Sequence, residues 1–135
     1  ERETWLGSIS IGEEAVTGGD VNVSTVKVPV VTLDAVVEER GLQPGLVKLD
    51  TEGFELQVVR GAQKTLETHR PIVVFESNTP AERQAIYQEF SALGFGIYPL
   101  NGGLFERPIS LSAEELVLDK QANFAAVHAE HGLLK

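Results

Sequence analysis

Leu46-Val47-Lys48-Leu49-Asp50-Thr51-Glu52-Gly53-Phe54-Glu55 reads as a short apolar strand that runs into a cluster of carboxylates and turns at once into a helix. Gly45 precedes the strand, and Leu46, Val47 and Leu49 suit a parallel strand covered on both faces. Beyond Gly53, Leu56, Val59 and residues 63–66 recur at helical spacing, with Phe54, Val58 and Ala62 beside them. One helix is therefore expected up to residues 68–70, because Pro71 disfavours helical geometry in the residue before it. In open α/β sheets, ligands lie beyond the carboxyl ends of the strands. Asp50 stands where such a fold places a functional acid.

Outward from this stretch, strands and helices alternate. Thr32 can cap a short helix whose Leu33, Val36 and Val37 share a face, and Gly41 stands where a left-handed C-cap is wanted. Residues 72–75 form a second apolar strand that ends in Glu76-Ser77-Asn78. Thr79-Pro80-Ala81-Glu82 then spells a helix start: Thr79 as cap, Pro80 at the first helical position, and Glu82 closing a capping box. Ile86, Phe90 and Leu93 are its apolar stripe, and Gly94 ends it. Residues 95–98 give a third strand, Asn101-Gly102-Gly103 a turn, residues 112–115 a capped short helix, and residues 123–128 a last strand. Residues 1–31 alternate apolar and polar positions as a β-rich lead, residues 32–128 form the α/β core, and residues 129–135 are a tail. Helical crossovers of this kind imply a mostly parallel sheet with right-handed connections and helices on both faces.

Asp50 and Glu76 end consecutive strands. If those strands are neighbours, their backbones lie ~4.8 Å apart at one sheet edge. Two carboxylates that close share a proton or a cation. A reaction at a hydroxyl needs a base for the proton, or a cation that makes the hydroxyl more acidic. Asp50, Glu52 and Glu76 are accordingly the candidate catalytic residues, and Asp50, Glu76 and Asn78 the candidate set for Mg²⁺. The alternative is that Asp50 caps the following helix, that Glu76 meets a nearby Lys or Arg, and that Glu52 only faces the helix dipole. Glu55, one turn on from Thr51, reads as a structural contact, and Asp34 as dipole compensation in its own helix. His69, His128 and His131 share no metal-ligand spacing, and Ser77 has no histidine near it in sequence, so zinc and a hydrolase triad are poor readings.

Lys48-Leu49-Asp50-Thr51-Glu52-Gly53-Phe54-Glu55, followed by Val58-Val59-Arg60-Gly61-Ala62, resembles the core signature of the FkbM-type methyltransferases. Thr32-Leu33-Asp34 upstream and Pro71-Ile72-Val73-Val74-Phe75-Glu76 downstream stand where that family has corresponding segments, so the likeness covers residues 26–98. The resemblance implies a Rossmann-like class I fold, of which this chain is the C-terminal half, with the last strand antiparallel. It also implies an S-adenosylmethionine-dependent O-methyltransferase acting on a hydroxyl of a sugar or secondary metabolite. The glycine-rich cofactor loop of such folds is not among these residues, so cofactor-binding residues are not assigned. The rival reading is a non-catalytic α/β module that binds a partner through its open sheet edge, the partner being the missing N-terminal half or a second copy in a homodimer.

Bulk properties narrow the classes. A chain of 135 residues suffices for one core. The net charge of −9, with no basic cluster, argues against a nucleic-acid partner. No apolar run reaches the ~20 residues of a membrane helix. Cysteine is absent, which excludes disulfides and thiolate metal sites. Glu1-Arg2-Glu3-Thr4-Trp5 has neither a starting Met nor a signal-peptide pattern, so a trimmed chain and a cytoplasmic location are the expectations.

Overall fold

Short-range signals place most elements of the computed structural model, which describes residues 28–100 and 109–132. The expected β-rich lead before residue 28 and the turn at Asn101-Gly102-Gly103 lie outside the described residues. Residues 28–31 carry no helix or strand and are exposed. From Thr32 onward the elements are α1 (Leu33–Arg40), β1 (Leu46–Leu49), α2 (Glu55–Arg60), α3 (Gln63–His69), β2 (Ile72–Glu76), α4 (Pro80–Ala92), β3 (Phe95–Pro99), α5 (Ala113–Leu118) and β4 (Asn123–His128). The Thr32 hydroxyl accepts from the N–H of Ala35 at 3.2 Å, and Gly41 ends α1 with φ 60°. Ser112 and Glu115 close a reciprocal capping box on α5.

The sheet runs β1-β2-β4-β3. β1 and β2 pair in parallel with Leu46 opposite Ile72 and Leu49 opposite Phe75, which brings the carboxyl ends of the two strands level. β4 enters between β2 and β3 and is antiparallel to both, so the first three strands point one way and the last is reversed. This is the expected α/β fold with an antiparallel last strand, which makes one of the three strand pairings parallel and two antiparallel.

The two parallel crossovers step across the sheet in one direction, so right-handedness puts α2, α3 and α4 on the same face. There Val59, Leu66, Ile86, Phe90 and Leu116 pack on Leu49, Val73, Phe75, Ile97 and Phe124 in one core. Phe75 and Phe90 rings lie 5.5 Å apart, and Phe75 and Phe124 rings 5.7 Å. Leu33 of α1 packs against the same core. The edge of the described sheet shows in β1. Only Leu49 is buried, Val47 is half-buried, and Leu46 is 65% exposed, because the strand sits at the end of the described sheet order.

The single helix expected after Gly53 is two helices, broken at Gly61-Ala62. The cause lies 30 residues upstream. The Gly61 carbonyl accepts from the N–H of Asp34 at 3.0 Å, while the Asp34 carboxylate accepts from the N–H groups of Lys64 at 3.1 Å and Thr65 at 2.7 Å. Asp34 thus caps α3 from another element while standing, as expected, in the first turn of its own helix. A Cβ on Gly61 would come within 3.2 Å of Thr32 Cγ2, so the close approach of the α1 N-cap leaves little room for a side chain there. At the other end, residues 129–131 are tied down and are not a loose tail. The N–H of Ala129 donates to the Gly94 carbonyl at 3.0 Å, His131 N–H donates to the His128 carbonyl at 2.8 Å, and Glu130 pairs with Arg70.

Candidate functional site

The level ends of β1 and β2 open into a crevice of about 250 Å³ whose lining includes Asp50, Glu52, Glu55, Glu76, Asn78 and Glu82. All four residues singled out from the sequence, Asp50, Glu52, Glu76 and Asn78, come together here. Five carboxylates share this crevice, and they differ in burial and in what each of them meets.

Glu55 is the inner member, with 3% of its surface exposed. Its Oε1 accepts from the N–H of Thr51 at 2.7 Å and the Thr51 hydroxyl at 3.0 Å, and its Oε2 accepts from the N–H of Gly53 at 3.0 Å. The structural contact with Thr51 read from the sequence is present, and it organises the whole turn. Burial pushes the Glu55 carboxyl up, but the N–H of Thr51, its own N–H, the Thr51 hydroxyl and the N–H of Gly53 together draw it below the ordinary glutamate range.

A carboxyl lowered in this way binds fewer protons folded than unfolded. Its contribution to stability is complete above the ordinary value of about 4.3 and is lost as pH falls through the lower folded value. Glu55→Gln turns an amide donor toward N–H groups that need acceptors, so stability at neutral pH should fall by about 1–3 kcal/mol. The acid limb should flatten in the variant. Urea midpoints recorded from neutral to acid pH test this, and parallel curves for the two proteins would count against it.

The turn held by Glu55 places Glu52 at φ 52° and Gly53 at φ 95°. Glycine tolerates this region, whereas for Glu52 it costs about 1–2 kcal/mol. The Glu52 side chain lines the crevice and meets no hydrogen-bond donor among the described residues. Asp50 does not cap α2, whose N-cap is Phe54 and carries no side-chain bond. It pairs instead with Lys48, two residues back on the same face of β1, and its side chain is 45% exposed. Glu76 meets no Lys or Arg among the described residues; its Oε1 accepts from Asn78 Nδ2 at 3.0 Å.

The third wall is α4. Thr79 Oγ1 accepts from the N–H of Glu82 at 3.3 Å, the backbone half of the expected capping box. The Glu82 carboxylate does not return the bond. Its Oε2 accepts from Ser77 Oγ at 2.9 Å, so Glu82 faces the crevice. Ser77 itself is 1% exposed, and its carbonyl accepts from Arg83 Nε at 3.1 Å and Nη2 at 2.9 Å. Arg83 also donates to the carbonyls of Leu116 at 3.2 Å and of Asp119 and Gln121, and lies 5.2 Å from the centre of the Phe124 ring. This guanidinium clamps the Glu76-Ser77-Asn78 segment to the chain that leads into β4.

Lys48, Glu82 and Arg83 are the residues that sequence reasoning missed. Period-two alternation puts Lys48 beside Asp50, and Arg83 falls on the apolar stripe of α4 at helical spacing from Ile86 and Phe90, an unusual site for a charge. Glu82 carried no such signal, because its spacing from Thr79 already had a structural explanation. Among the described residues no group of three His, Cys, Asp or Glu side chains converges as a metal site. His128 packs edge-on against Phe95 at 5.2 Å between ring centres, and its Nδ1 accepts from the N–H of Glu130 at 3.2 Å.

A sheet with a reversed last strand inserted before its end, and acids at the carboxyl ends of its parallel strands, is consistent with a Rossmann-like α/β fold. The family model described as the methyltransferase FkbM domain matches residues 4–97, and the chain belongs to that family. No curated protein and no solved structure matches it. No helix among the described residues is long and apolar enough to cross a membrane.

Proposed function

We propose that the crevice is the acceptor site of an S-adenosylmethionine-dependent O-methyltransferase, with Asp50, Glu52 and Glu76 as its catalytic acids. The observation that carries the reading is the convergence of these three carboxylates at the level ends of β1 and β2 in a chain of a methyltransferase family. Bound S-adenosylmethionine supplies a methyl group on a sulfonium sulfur, which leaves as a neutral thioether. The negative charge of the crevice suits that cation. The acceptor oxygen forms the new bond to the methyl carbon, and its proton passes to the Asp50–Glu76 pair. Glu52, with no donor of its own, orients the acceptor hydroxyl. The acceptor itself is a small molecule bearing a hydroxyl, of the sugar or secondary-metabolite type.

Mg²⁺ on Asp50, Glu76 and Asn78 fits less well. Lys48 already holds Asp50, and the nitrogen of Asn78, not its oxygen, faces Glu76. A dication would have to displace an ammonium and reverse the amide. The proton route is therefore the one assigned.

The test is methyl transfer from S-adenosylmethionine to hydroxyl acceptors by wild type and Glu76→Gln. The variant should be slower by about 10-fold, since one member of the pair that disperses the proton's charge is neutralised. Excess chelator should leave the wild-type rate unchanged. A Glu76→Gln rate equal to wild type would remove Glu76 from the reaction, and inhibition by chelator relieved by Mg²⁺ would restore the metal.

A further inference from the structure

We draw no further inference here: the strongest candidate, the outer edge of β1 where Leu46 and Lys48 are exposed, has no second neighbouring strand among the described residues, and nothing in the structure shows what covers it.

Discussion

Arg83→Met should lower the free energy of unfolding by about 3–5 kcal/mol, the scale of a buried charge network broken from one side. Methionine fills much of the same volume on α4, so the loss is not one of packing. It comes from four carbonyls, those of Ser77, Leu116, Asp119 and Gln121, that lose their donor together. A carbonyl left buried without a partner costs about 1–3 kcal/mol. Those of Asp119 and Gln121 are only partly buried, so water can replace the donor there, which keeps the total below the sum. Arg83→Lys should recover little, since a single ammonium cannot span carbonyls that the planar guanidinium reaches on several sides. Urea denaturation with a constant m-value measures the difference. A midpoint unchanged from wild type would mean that the four carbonyls find other donors and that Arg83 clamps nothing.

The residues that were legible in the sequence are those whose causes are local. Thr32, Thr79 and Ser112 each accept from an N–H three residues on, and Gly41 ends α1 in the left-handed region, so caps and helix ends follow from short spacing alone. The placing of Asp50 and Glu76 at one sheet edge was legible for a different reason. A simple crossover makes consecutive strands neighbours, and the register then levels their ends. What escaped has its cause far along the chain. The break at Gly61 depends on Thr32 and Asp34, and the reach of Arg83 extends to Gln121. Leu46, at the end of the described sheet order, is exposed where its apolar character suggested burial. Glu82 escaped because two partners competed for one carboxylate: its own N-cap and the buried hydroxyl of Ser77. Sequence spacing records the first and not the second.

Asp50→Asn should cut methyl transfer by about 10²-fold or more, some 2.7 kcal/mol of barrier, while leaving the fold intact. Asparagine keeps the size of the side chain but cannot take a proton, so a step that hands the acceptor's proton to Asp50 loses its base. The fold has little at stake in the same change. Asp50 caps no helix, its side chain is 45% exposed, and its partner Lys48 is 64% exposed. Exposed pairs of that kind contribute about 0–1 kcal/mol. Lys48→Gln is the control that separates the two roles. If the ion pair mattered for structure alone, the two variants would behave alike, whereas a base at Asp50 makes Asp50→Asn much the slower. Rates under saturating acceptor, set beside urea midpoints for both variants, give the comparison directly. Asp50→Asn turning over as fast as Lys48→Gln would take Asp50 out of the chemistry and leave Glu76 as the nearest carboxylate on the level strand ends.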